Sequence, residues 1–448
     1  MMVNRKRIGR RGLLATVPAI TALAVLASAG CQPAAAPASD SKQSTVVSAL
    51  EKDAKVLRST EPGGTTTDLR ALGTIIGNAK VVGLGEATHG SHEFFAMKER
   101  VFRYLVEEKG FSTFALEMSW SAGLTIDEFL QGGEGDARQI AAKTLAASPW
   151  EREEFAHLIG WMRDYNTSHP QQKVHFMGDD ISAPKAGDLL FARVTDYMRK
   201  ARPEALQQLN ALYAGVRPLD DLYAYMNKPL AERRKNADKA QEALDLVTAT
   251  KGTGDDYEWA VQHARNIAQT LAYAAVDVKD PASINTVEHM RDKAMADTVA
   301  WWQRRTGDKV LLSAHNGHVG YRSTDPKMTP TPQGTHLRRD LGRDYVSIGF
   351  TFARGSFLTK DASFDGDWKK VTVPPATKDM NEYTLDQVHH RDYFLDLRAL
   401  PSEARAWLNT ARPTYDAGTV YKKGTTLAIG KAYDVLIHLH QVREADKL

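Results

Sequence analysis

The stretch that decides the fold runs from Val81 to Trp120: VVGLGEATHGSHEFFAMKERVFRYLVEEKGFSTFALEMSW. An apolar run, Val81–Leu84, with Gly83 inside it and Gly85 after it, delivers Glu86, His89 and His92 into a tight turn. Residues Glu93 to Lys109 have helical spacing and stop at Gly110. A second apolar run, Phe111–Leu116, then delivers Glu117 at its own end. The order is strand, loop, helix, strand, with ionisable groups after both strands. Open α/β sheets carry their chemistry there, outside the carboxyl ends of parallel strands.

The same pattern recurs outward from this unit. Lys173–Met177 reads as a third strand, ending at Gly178-Asp179-Asp180. Residues 185–275 are rich in Ala, Leu, Gln, Glu, Lys and Arg, with apolar residues at helical spacing. They predict a helical insertion at about 187–277, expected to roof the strand ends. A long helix, Thr286–Arg304, leads to the strand Lys309–Leu312 and the loop Ser313-Ala314-His315-Asn316-Gly317-His318. Asp344–Phe352, Ala417–Lys422 and Tyr433–Leu439 are further candidate strands, and Ser402–Asn409 a helix. Helical readings also cover Val47–Arg58 and Asp68–Leu72. The alternation predicts an α/β domain over residues 47–448 with a mostly parallel open sheet and flanking helices.

Charge and cysteine usage narrow the function. The 448-residue chain carries a formal charge of +3, but residues 1–30 hold five basic side chains and no acidic ones. Without them 53 basic residues face 55 acidic ones, which leaves no cationic excess to displace phosphate counterions. Nucleic acid is therefore not the expected partner. Those first residues read as an export signal, with Arg5, Lys6, Arg7, Arg10 and Arg11 ahead of an apolar stretch. Arg10-Arg11-Gly12-Leu13-Leu14 resembles a twin-arginine signal. Cys31, the only cysteine, follows Ser28-Ala29-Gly30 and resembles a lipobox cysteine, with Ser28 where that pattern carries Leu. The expectation is an exported chain on a lipid anchor at Cys31, with residues 31–46 as a flexible tether. A single cysteine also means that no disulfide staples the domain, so the core must hold it.

Several chemistries are missing. The chain has no G-x-S-x-G elbow, no phosphate-binding G-x-x-x-x-G-K-[ST], no G-x-G-x-x-G after a strand and no H-E-x-x-H helix. What remains is carboxylates and histidines at strand ends. A neutral imidazole beside carboxylates can take a proton from water, because the anions stabilise the imidazolium that forms. Arg291, on the helix before the His315 loop, is placed to face a developing oxyanion. Lys98 and Arg100 read as a solvated helix face, and Asp180 as either a histidine partner or a helix cap. His89, His92, His315 and His318 with Glu86 and Glu117 also contain enough N and O donors for Zn²⁺ or Mn²⁺, so a metal-dependent hydrolase is the alternative. A non-catalytic envelope lipoprotein that binds a polyketide or glycan is a third reading.

GEATHGSHEFF, the Leu116-Glu117 strand end, MRDKAMADTVAWW and LLSAHNGHVGY together resemble the erythromycin esterase family. So does GTHLRRDLGRDYVSIGFTFARGSF, and the resemblance spans roughly residues 68–440 in order. It implies an α/β core with helical additions and hydrolysis of an ester or macrolactone without a covalent enzyme intermediate. It also implies His89 as the base that activates water. Glu86, Glu117, Arg291, His315 and His318 complete the implied catalytic set. Lys98, His92 and Asn316 are the expected substrate contacts, and no cofactor is expected. Lys98 stands where resistance-type members carry arginine, which keeps the charge but not the bidentate fork. Tyr213, Tyr223, Tyr225 and Trp259 are expected to line the insertion against an uncharged macrolide.

Overall fold

The computed structural model describes residues 38–277, 279–361 and 366–448; the export signal, Cys31 and the start of the tether lie outside them. Twelve strands occur among the described residues. Eight form the main sheet, β1 (Lys55–Val56), β2 (Val81–Leu84), β3 (Thr113–Ser119), β4 (His175–Asp180), β5 (Val310–Ser313), β6 (Tyr345–Phe352), β9 (Tyr393–Asp396) and β12 (Val435–Leu439). A hairpin, β7 (Gly355–Thr359) and β8 (Lys369–Val373), and a short pair, β10 (Arg412–Pro413) and β11 (Thr426–Leu427), stand apart. The main sheet runs β1-β9-β12-β6-β2-β5-β3-β4. Its six strands from β12 to β4 pair in parallel, and β9 and β1 close one edge in antiparallel pairs. This is the mostly parallel α/β sheet that the alternation predicts.

Register places the site. Leu84 of β2 and Leu116 of β3 both pair with Ser313 of β5, and Gly178 of β4 pairs with Leu116. Glu86, Glu117, His315 and Asp180 follow these partners by one or two residues, so all leave the sheet at one edge. An irregularity between Leu116 and Ser119 breaks the β3–β4 ladder at Glu117 itself. Gly123 and Gly178 let the helix Trp120–Leu130 fold directly back on β4. A Cβ on Gly123 would strike the Gly178 backbone, and one on Gly178 would strike Ser119.

Strand alternation splits the core into two faces. Val82, Leu84, Phe114, Leu116 and Leu311 pack with the helices His92–Lys109 and Glu153–Ser168. Val81, Ala115, Val310 and Leu312 pack with the helix Pro281–Thr306 and with the insertion. Residues 42–448 thus form one unit. The helices between Gly187 and Ala274 join its second helical layer, where Leu190, Leu209, Ala264 and Leu271 share that buried cluster with the strands, and they reach the end of β4, where Asn266 donates to Asp180 O at 3.1 Å. Tyr213 and Tyr225 are buried, and Trp259 stacks on Trp120 with ring centroids 6.0 Å apart. Of the four aromatics expected to face substrate, only Tyr223 is exposed.

Three local readings change. A helix Ala38–Asp53 takes up the second half of the expected tether, and Val46 and Leu50 are buried beneath β9 residues. It stops at Asp53, so Lys55–Val56 can edge the sheet against Tyr393 and Phe394. Ala417–Lys422 is no strand, only isolated bridges to Thr88 and Lys360 and within itself. Lys98 and Arg100 are buried, not solvated, because the helix His92–Lys109 is covered on several sides. Arg100 forks onto Asp68 at 2.7 and 3.2 Å. Among the described residues no helix is long and apolar enough to cross a membrane.

Candidate active site

His89 stands in the β2 loop, where its backbone N–H donates to Ala417 O at 3.1 Å. Its Nδ1 meets Glu86 Oε1 at 2.5 Å, which fixes that nitrogen as the protonated one when the ring is neutral. Nε2 is left without a hydrogen-bond partner among the described residues, at the solvent edge of a side chain 8% exposed. The other Glu86 oxygen receives Lys98 Nζ, and both of those side chains are fully buried. Burial pushes the Glu86 carboxyl up, but Lys98 and then His89 outweigh it and hold it below the ordinary value. Lys98 itself is lowered, chiefly by burial. The result is an anion held under an imidazole whose second nitrogen faces outward.

A second network adjoins it. Glu117 Oε1 accepts from Arg291 Nη2 at 3.0 Å and lies 3.2 Å from His318 Nε2, while Oε2 accepts the His315 backbone N–H at 2.9 Å. His318 Nδ1 donates to Asp292 Oδ1 at 2.9 Å. With a carboxylate on each nitrogen, this ring is an imidazolium. Burial opposes the charge, yet Glu117 and Asp292 hold it well above the ordinary histidine value. Burial likewise raises Glu117, and His318 overrides it to leave the acid far below its usual range. Asp180 Oδ2 receives Arg291 Nε at 2.8 Å and Nη2 at 2.6 Å. Asp180 is therefore an arginine anchor, which settles the choice left open by sequence. Two fixed cations, neither able to act as a base, thus meet at Glu117.

His315 joins the halves. Its ring lies 4.9 Å from that of His89 by centroids. Gly317 N–H donates to its Nδ1 at 3.1 Å, so the neutral ring carries its proton on Nε2. Burial lowers its pKa, which keeps the ring neutral. Nε2 lies 3.3 Å from Asp416 Oδ1 but makes no well-aligned bond there. Shielded from solvent, it faces that carboxylate.

The structure gathers Glu86, His89, Glu117, Arg291, His315 and His318. It does not bring the three expected substrate contacts to the open side. Lys98 is sealed beneath Glu86. Asn316 spends its side chain on β6, donating to Phe350 O at 2.8 Å and accepting Phe350 N–H at 3.0 Å, so it locks two strand ends together. His92 points away to Glu154 at 2.7 Å and Glu61 at 3.0 Å, and these hydrogen bonds raise its pKa to about 9. The six donors considered for a metal therefore do not share one centre. Among the described residues, the acid and histidine group spaced for an ion is His92, Glu154 and Asp446. Sequence reasoning missed Asp292, Asp416 and Trp150, whose ring meets His89 edge-on at 5.6 Å. Asp292 sits next to Arg291 inside a quoted motif, a usable signal. Asp416 and Trp150 lie in irregular segments with no periodicity to mark them.

The geometry defines an open-sheet α/β protein with a histidine–carboxylate centre at its strand ends. The chain belongs to the erythromycin esterase family, whose model matches residues 106–442. Membership places it among hydrolases of the esterase type. It is 26% identical to erythromycin esterase type II of Escherichia coli over 319 residues, covering 66% of this chain and 74% of that protein. A crystal structure of a Bacillus cereus protein superposes with a TM-score of 0.82 at 28% identity, covering 91% of this chain and 99% of the other. A crystal structure described as a succinoglycan biosynthesis protein gives 0.80 at 29% identity, with the same coverage.

Proposed function

We propose that this protein hydrolyses a carboxylic ester or lactone, with water as the nucleophile and His89 as the base. One observation carries the reading: His89 has Nδ1 tied to Glu86 at 2.5 Å, Nε2 without a hydrogen-bond partner among the described residues, and its ring 4.9 Å from that of His315. Water gives a proton to Nε2 as its oxygen attacks the carbonyl carbon. Charge gathers on the carbonyl oxygen, where the Arg291 and His318 cations donate and supply potential. Such a preset donor is worth about 10²–10³ in rate. The C–O bond then breaks and the His89 imidazolium returns its proton to the leaving alkoxide, which balances the step as acid plus alcohol. Glu86, held anionic by Lys98, stabilises the imidazolium in between.

Macrolactones are candidate substrates through the likeness to erythromycin esterase type II. The test is a panel of macrolides and simple esters offered to purified protein, read by mass gain of one water, with and without chelator. Turnover that survives chelation supports the reading. Turnover that requires added divalent metal favours the metal-dependent alternative, and no turnover at all overturns ester hydrolysis. We also propose export and lipidation at Cys31, tested by labelling cells with a fatty-acid analogue. Label on the wild-type chain and none on Cys31→Ala supports it; no label on either contradicts it.

A further inference from the structure

The wall of the site beyond Trp150 carries a mismatch of donors and acceptors. Arg152 is only 3% exposed, yet its Nε and Nη2 have no hydrogen-bond partner. Its one side-chain bond runs from Nη1 to Glu151 O at 2.6 Å. The nearby carboxylates act on it only through space: Glu151 accepts Ala147 N–H at 2.8 Å, Glu154 Oε1 accepts from His92 and from Asp446 N–H, and Glu154 Oε2 is itself without a partner. No ion pair to Arg152 exists among the described residues. A buried guanidinium with two unpartnered nitrogens and no contacting counter-ion calls for an explanation.

Two more buried donors near it lack acceptors, Trp150 Nε1 and Trp368 Nε1. The Arg152 guanidinium lies 5.4 Å from the Trp368 ring centroid, and Lys360 Nζ lies 5.6 Å from the same centroid. These groups connect to the base from both sides. Trp150 touches His89 edge-on, and Arg152 N–H donates to Trp150 O at 2.8 Å. On the other bank Lys360 N–H donates to Thr419 O at 2.8 Å, and the neighbouring Gly418 faces His89, its Cβ position 3.7 Å from Cδ2. The circuit His89, Trp150, Arg152, Trp368, Lys360 and Gly418 closes on itself. Every orphaned atom in that circuit is a donor and two of its members are cations, so the ligand that fits it is an anion; Glu154 Oε2, an unpartnered acceptor two residues on from Arg152, lies outside the circuit.

We propose that Arg152, with Trp150, Trp368 and Lys360, is an anion-recognition site beside His89, and that the natural substrate is an ester bearing a carboxylate. Arg152 takes the carboxylate through Nε and Nη2, the forked geometry that matches two oxygens. The indole of Trp150 spaces that anion from the carbonyl under attack. The substrate half of this inference rests on the ester-hydrolase reading; the site itself does not.

The test compares matched esters. An aryl hemiadipate against the aryl hexanoate places the charge on the acyl side. A 4-acetoxybenzoate against phenyl acetate places it on the alcohol side. One charged member is expected to exceed its neutral partner in kcat/KM by about 10-fold or more, as for a charged hydrogen bond, and the member that does so assigns the side. Arg152→Gln brings that ratio to near one, chiefly through KM. Calorimetry with adipate provides a readout that needs no turnover: it binds the wild-type chain and is weakened at least about 10-fold by Arg152→Gln. If Arg152→Gln does not fold, Lys360→Gln must lower both ratio and adipate affinity. Equal rates for charged and neutral esters overturn the substrate claim while leaving ester hydrolysis standing. Absent hydrolysis with intact, Arg152-dependent adipate binding sinks the hydrolase reading and keeps the site. Adipate binding that is absent, or indifferent to both substitutions, overturns the site.

Discussion

Replacing Lys98 by methionine removes the counter-ion of Glu86 while nearly keeping side-chain volume. Both partners are fully buried, so the substitution strands a carboxylate where water cannot reach it. Breaking such a pair costs about 3–5 kcal/mol. Glu86 has two escapes. It can bind a proton, as burial favours once Lys98 is gone, or it can hold His89 as the imidazolium. The first removes the anion that stabilises the charged ring during catalysis, and the second removes the lone pair from Nε2. Either way kcat/KM falls at neutral pH and its acid limb moves to higher pH. The double variant Lys98→Met/Glu86→Gln separates stability from catalysis. With both charges gone the buried site is neutral, so stability in urea returns by about 2–3 kcal/mol relative to the single variant. Activity does not return, because Nδ1 has lost its carboxylate. Additive destabilisation in the double variant, or a wild-type pH–rate profile in Lys98→Met, would refute the argument.

Other consequences follow from the same contacts. His318→Gln removes a fixed cation next to the carbonyl site, and kcat is expected to fall about 10²–10³-fold with a smaller change in KM; an effect confined to KM contradicts the oxyanion role. Asn316→Ala cuts two bonds to Phe350, so it should cost about 1–3 kcal/mol in urea unfolding. Its kcat per folded molecule should stay near wild type, and a selective catalytic loss would restore Asn316 as a substrate contact. His92 has a folded pKa raised to about 9 from an ordinary 6.5, a difference of about 3 kcal/mol at most. That stabilisation is fully present below about pH 6.5 and is lost as pH rises towards 9. His92→Asn should flatten the decline in stability across this window, and an unchanged slope counts against the His92–Glu154 pair.

The sheet was legible because its strands are short apolar runs ending in glycine and acid, as at Val81–Leu84 and Lys173–Met177. Where that signal was weak the reading failed. Lys55–Val56 is too short to declare itself and takes its conformation from Tyr393 and Phe394. Ala417–Lys422 has strand-like residues but finds no continuous partner. Histidines and acids on strand ends could be read from sequence, since register alone brings Glu86, Glu117 and His315 together. Side-chain direction could not. Lys98 looks like a surface lysine until the helix His92–Lys109 proves to be buried around it, and His92 leaves the site after one further turn of backbone. The insertion kept its helices, but two of the aromatics expected to face substrate, Tyr213 and Tyr225, pack inward. Arg152 carried no motif at all; only the missing partners of its guanidinium single it out.

The central claim is that His89 activates water and no acyl-protein forms. It is tested by one single-turnover reaction in ¹⁸O-water, with the ester that the panel identifies and the protein in excess. Product acid and intact protein are weighed at each time point, for wild type and His89→Asn. The account predicts one ¹⁸O atom in the acid during the first turnover, no added mass on the protein, and loss of turnover in His89→Asn. An acylated protein, or a His89→Asn variant that turns over at the wild-type rate, contradicts it.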